Sequence, residues 1–203
     1  MKRLLVFCIF ALAIVTEAGA VLKEKDLEQT LGILRTELKQ YNNELDRRST
    51  ARRDRAKRLI QQCMGTMKRA DQNALMLYSQ QQDNVFDLTY ACHEATQQYR
   101  DFHRQQLPFT SFLEKTEGEI VRYDSLINHL QGIPTRIMTK YGTSNRDSCL
   151  VLAQSIREKL EVNANILRRN IYLYTKAENR LSELNEYAQK RYSDIQQSIF
   201  ING

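Results

Sequence analysis

CLVLAQSIREKLEVNANILRRNIYLYTKAENRLSELNEYAQKRYSDI, residues 149–195, decides the fold. Alternating steps of four and three pick out Cys149, Ala153, Ile156, Leu160, Asn163, Leu167, Asn170, Tyr174, Ala177, Leu181, Leu184, Ala188, Arg191 and Ile195. Eleven of these fourteen are apolar, so one side of a helix offers a narrow seam that needs a partner along its length. About 50 helical residues would run roughly 75 Å at about 1.5 Å each. A repeat of seven kept this long favours a left-handed supercoil. Asn163 and Asn170 weaken the seam and can set its register.

The same spacing recurs elsewhere in the chain. Leu27, Leu31, Leu34, Leu38, Tyr41 and Leu45 form a first seam. Extending that register puts Arg48, Arg52 and Arg55 on it, where burial of three cations against apolar neighbours would cost heavily. Val85, Leu88, Cys92, Ala95, Tyr99 and Phe102 form a second seam, stopped by Pro108. Thr110 or Ser111 can cap the next helix, which carries Leu113, Ile120, Tyr123, Ile127 and Leu130 and ends at Gly132 and Pro134. Thr135 to Arg146 is expected to be a loop, with Asn145 or Asp147 capping the last helix. Between Leu59 and Asp71 the registers do not join, which predicts a stutter or a bend near Gly65 and Thr66. Tyr172 and Tyr192 lie off the last seam and are expected to mark a second packing face.

Only 7 Gly and 2 Pro occur in 203 residues, too few for the turns of a many-stranded β fold. The fold expected is all-α: three to four long helices in an elongated antiparallel coiled-coil or helical bundle, one domain over residues 21–203. Such a core is a stripe and implies no deep pocket.

The first 20 residues have a different character. Lys2 and Arg3 precede an apolar run of 12 residues, Leu4 to Val15, and Ala18-Gly19-Ala20 supplies the small residues of a cleavage site. This is the pattern of a secretory signal peptide over residues 1–20, and the run is short of the roughly 20 residues of a spanning helix. The expected location is periplasmic or secreted. Twelve Asn without one Asn-x-Ser/Thr sequon lean toward a periplasm. Export makes disulfides possible. Cys63, Cys92 and Cys149 follow the leader, and the seam positions of Cys92 and Cys149 suggest that these two pair. Closing that loop would be worth roughly 4 kcal/mol in the chain-entropy picture. The alternative is three buried thiols.

The charge is +6 overall, with 30 basic and 24 acidic residues, and it is concentrated. Residues 46–58 hold Arg47, Arg48, Arg52, Arg53, Arg55, Lys57 and Arg58 against Asp46 and Asp54. Beyond the leader, the rest of the chain is balanced. This block is expected either to meet an acidic partner or anionic lipid, or to be a solvated face paired with Glu114, Glu117, Glu119 and Asp124. Nucleic acid fits poorly, because the block lacks interleaved aromatics for base stacking.

A search for chemistry finds none. His93-Glu94 begins like a zinc-protease motif, but Gln97 stands where the second ligand belongs. There is no Cys-x-x-Cys, no glycine-rich phosphate loop and no nucleophile elbow. No enzyme activity, cofactor, metal or small-molecule substrate is expected. The stretches Ala74-Leu-Met-Leu-Tyr-Ser-Gln-Gln-Gln-Asp-Asn-Val-Phe-Asp-Leu-Thr-Tyr-Ala-Cys-His-Glu-Ala-Thr96 and Arg122-Tyr-Asp-Ser-Leu-Ile127, behind a leader, resemble the periplasmic N-terminal coiled-coil region of bacterial multi-pass envelope proteins of the mechanosensitive-channel type. The resemblance implies a periplasmic module; the membrane helices and pore of such proteins have no counterpart in this sequence. The expected role is therefore a scaffold or sensing module acting on a protein partner in the envelope or on itself. The alternatives are a fragment of a mechanosensitive-type channel, an anionic-surface binder and a holdase chaperone.

Overall fold

The computed structural model describes residues 24–78, 85–104 and 109–202. Among them are four α-helices and no strand: α1 (Glu24–Tyr78), α2 (Val85–Arg104), α3 (Phe109–Gly132) and α4 (Lys140–Asn202), with a short 3-10 turn at Thr135–Ile137 before α4. The all-α bundle expected from the spacing is the observed fold. Within this bundle the chain divides into two compact units built from separated segments. The first holds the described residues up to Arg53 together with Ser111–Ile166; the second holds Asp54–Thr110 and Leu167–Gly203.

In the first unit, α1, α3 and α4 share a core of Leu31, Leu34, Leu38 and Leu45, of Ile120, Tyr123, Leu126 and Leu130, and of Cys149, Ala153, Ile156 and Leu160. Contacts between α1 and α4 join residues separated along the chain by 110 to 118 positions throughout, so these two helices run parallel. The α3–α4 contacts instead close toward the turn, from Asp124–Arg157 to Ile133–Arg146, so α3 runs antiparallel. The second unit repeats the arrangement with α2 as the antiparallel helix. Asp71 lies near Arg180 and Tyr78 packs on Tyr187, while Phe102 and His103 meet Tyr174 and Glu178. Its core is rich in alanine: Ala70, Ala74, Ala91, Ala95, Ala177 and Ala188 pack with Leu77, Leu88, Leu181 and Leu184.

The α4 seam is as expected: all fourteen positions are buried or half-buried. The α1 seam is likewise as expected from Leu27 to Leu45, and changes register beyond it. Leu31, Leu38 and Leu45 repeat every seven residues, and so do Ser49, Ala56, Cys63, Ala70 and Leu77, but the step from Leu45 to Ser49 is four. That inserted step is a stutter. It rotates Arg48, Arg52 and Arg55 off the seam, where all three are exposed, and so avoids the desolvation of three cations. The register change thus sits at the start of the basic block, and α1 continues as one helix through Gly65 and Thr66.

The expected loop at Thr135–Arg146 is also shorter than anticipated. Thr139 caps α4: its hydroxyl accepts from the Gly142 amide at 3.2 Å. Glu28 of α1 in turn accepts from the Thr139 amide at 2.8 Å and from its hydroxyl. Asn145 and Asp147 lie inside the helix rather than at its start, and Asn145 is buried, accepting from Arg35 Nη1 at 2.9 Å. Gly142 is present because α1 passes close by. A Cβ there would stand 2.6 Å from the Cγ of Glu28. Tyr172 and Tyr192 are both exposed, so the second packing face expected of them is not formed.

Gly142→Ala should therefore displace Glu28 from Thr139 and destabilise the protein by about 1 kcal/mol, the loss of charge-assisted bonds outweighing the helix-propensity gain. In a Glu28→Ala background the same substitution should become neutral or stabilising. Denaturant midpoints of the four proteins of this cycle check the coupling.

Candidate interaction surfaces

All seven cations of the basic block project from α1 into solvent, with Arg47, Arg48, Arg52 and Arg53 in the first unit and Arg55, Lys57 and Arg58 in the second. Arg48 pairs with Glu44 one turn earlier. Among the described residues, Arg47, Arg52, Arg53, Arg55, Lys57 and Arg58 have no carboxylate within 4.0 Å. Two of the acids expected to neutralise the block are engaged elsewhere: Asp124 accepts from Arg157 at 2.6 Å, and Glu119 accepts from the Tyr41 hydroxyl at 2.7 Å. The block's own Asp46 lies 2.6 Å from Lys159 of α4. Apart from the Arg48–Glu44 pair, repulsion within the block is relieved mainly by water and salt, so an anionic surface placed against it would be attracted.

The Cys92–Cys149 pairing expected from the seams is not formed. Cys63, Cys92 and Cys149 are free thiols, and Cys92 and Cys149 belong to the cores of different units. The reason is the heptad geometry: each cysteine faces the helices of its own unit. Cys149 donates weakly to the Leu31 carbonyl at 3.4 Å, and burial pushes its thiol up to about 12. Burial also raises Cys92, with Arg191 acting in the opposite sense, and raises Cys63.

The histidines do not converge. His93 is exposed, His103 Nδ1 lies 2.8 Å from Glu178, and His129 Nδ1 donates to the Ser125 carbonyl one turn back at 2.7 Å. Among the described residues no group of three or more His, Cys, Asp or Glu is placed to hold a metal, and no helix is long and apolar enough to cross a membrane. The signal-peptide pattern expected over residues 1–20 lies outside the described residues.

Two surfaces escaped the sequence reading. One is a set of apolar side chains, Leu75, Phe86, Phe200 and Ile201, each largely exposed in the second unit. The other is an open depression of about 870 Å³ in the first unit, between α1 and the first turns of α4. Arg35 and Lys39 stand four apart in the sequence, one turn of α1, but their meeting with Lys140 depends on the parallel register of the two helices. No family model matches the chain, and no curated protein and no solved structure matches it.

Thiol titration of the denatured, unreduced protein should find Cys63, Cys92 and Cys149 all reactive; in the native state Cys63 should react first and Cys149 last. Tyr41 and Tyr123, stacked with ring centres 6.1 Å apart, are both raised above the ordinary tyrosine value, mainly by burial and then by the nearby Glu119 carboxylate. The folded state holds these protons more tightly than the unfolded chain. Their contribution to stability is therefore complete below about pH 10 and lost as pH rises beyond it. Absorbance at alkaline pH should show these two ionising only with unfolding, after the exposed tyrosines.

Proposed function

We propose that the chain is a non-catalytic, exported helical module that acts by protein contact in a cell envelope, as a scaffold or sensing element. The exposed basic block of α1 supports this reading most directly. It places six cations without a carboxylate partner among the described residues on a surface whose interior offers only narrow apolar seams. A long helix with such a stretch can meet an acidic protein surface with little rearrangement, because the helix is already formed by its seam. The leader pattern of residues 1–20 and the resemblance to periplasmic coiled-coil regions support the envelope location.

Anionic lipid is the second reading that this block favours. The full chain and its Arg48→Gln, Arg52→Gln, Arg55→Gln variant should be compared in two assays. One is flotation with vesicles of phosphatidylcholine with and without phosphatidylglycerol; the other is capture of envelope proteins at low and high salt. The expected result is a specific, salt-sensitive protein partner lost in the variant and vesicle flotation that is negligible for both. Flotation on anionic vesicles that the variant loses would replace the protein partner by a lipid surface. No charge-dependent binding in either assay would reduce the block to a solvated face.

A further inference from the structure

We propose that the groove between α1 and α4 in the first unit is a docking site for an amphipathic helix with an acidic flank, supplied by a partner protein. This rests on the reading of the chain as a contact module, but on a surface separate from the basic block. The groove is the open depression of about 870 Å³ described above. Its rim carries Arg35 and Lys39 from α1 and Lys140 from the start of α4. Among the described residues none of the three has a carboxylate within 4.0 Å, and Arg35 spends only one guanidinium nitrogen, on Asn145. The single acid in the lining, Asp147, is already held by Arg146 through Nε at 3.0 Å and Nη2 at 2.6 Å. The groove therefore faces an incoming ligand as three unneutralised cations.

The groove is apolar as well as charged. Met138 and Leu152 line it, and Val151 stands 65% exposed beside them. An occupant must thus combine apolar contact with negative charge. The first unit packs three helices, and α1 and α4 run parallel with this side of their interface uncovered. A further helix laid in such a groove would bury its apolar positions at i, i+3, i+4 and i+7 on exposed Val151 and half-buried Leu152 while its flanking acids reach Arg35, Lys39 and Lys140. The depression is too open to shield an acyl chain from water on all sides, and charge complementarity disfavours a basic or neutral helix. Ser144 and Thr143 add hydroxyls at the end nearest Lys140.

The test uses the full chain and a fluorescent synthetic helix with leucines at i, i+3, i+4 and i+7 flanked by glutamates. A scrambled peptide of the same composition provides the comparison, with fluorescence anisotropy as the readout. Lys39→Glu with Lys140→Glu, and separately Val151→Glu, should each weaken binding about tenfold or more, equivalent to about 1.4 kcal/mol. The scrambled peptide should bind at least as weakly. Lys68→Glu with Arg69→Glu, an equal charge change in the second unit, should leave affinity within about twofold, and circular dichroism should confirm that all variants remain folded. Equal binding of the scrambled peptide, or equal loss in the Lys68/Arg69 variant, would reduce the effect to general electrostatics and overturn the proposal. Loss in the Arg48, Arg52, Arg55 variant but not in the groove variants would move the contact to the basic block, overturning this site while sparing the proposed function. Displacement of the peptide by inorganic phosphate with no dependence on Val151 would identify a small-anion site instead.

Discussion

A narrow apolar stripe that recurs every seven residues is the constraint on which the rest of the structure depends. A helix with such a stripe gains little by folding alone, because its apolar face would remain in water. It is stabilised only when neighbours cover that face along its length. In each unit the cover comes from two other helices, so that α1 and α4 are paired in parallel and a shorter antiparallel helix completes the core. Burying each leucine of such a core is worth a few kcal/mol, and truncating one to alanine typically costs about 2–5 kcal/mol. The cores differ in character. Leucine and isoleucine dominate the first, while alanine dominates the second and allows close approach of its helices.

Polar residues on the seams show how register is held. Asn163 donates to Ser49 at 3.5 Å, at the position where the α1 stutter resumes its repeat. Asn73 donates to the Ala91 carbonyl at 3.1 Å and ties α1 to α2 within the second unit. Sliding either pair by one turn would leave a buried amide without its partner, a penalty of about 1–3 kcal/mol. The Glu28–Thr139–Gly142 cluster fixes the parallel alignment of α1 and α4 in the first unit in the same manner. The apolar seams supply most of the energy, and these few polar contacts choose among the alignments that the seams alone would tolerate.

Surface chemistry in this protein is the residue of that packing. Once the seams are buried, the remaining faces are free to carry charge, and beyond the first 20 residues the excess positive charge is confined to one stretch of α1. The stutter at Leu45 to Ser49 is what makes that stretch compatible with a continuous helix. Without it, Arg48, Arg52 and Arg55 would have to enter the core or force the helices apart. The same parallel pairing that buries the α1 and α4 seams also brings Arg35, Lys39 and Lys140 to one groove.

Helix identity, the α4 seam to its last position and the excess of cations at residues 46–58 were determined by the sequence alone, because each depends only on residue type and local spacing. Local spacing could not reveal which helix covers which seam. The parallel run of α1 and α4, the division into two units and the separation of Cys92 from Cys149 into different cores were settled by tertiary packing. Gly142 marks the same boundary. In sequence it looks like part of a loop; in the fold it is a helical residue made necessary by the side chain of Glu28. Periodicity is a property of one helix, whereas register and partner are properties of a pair, and only the folded chain contains the pair.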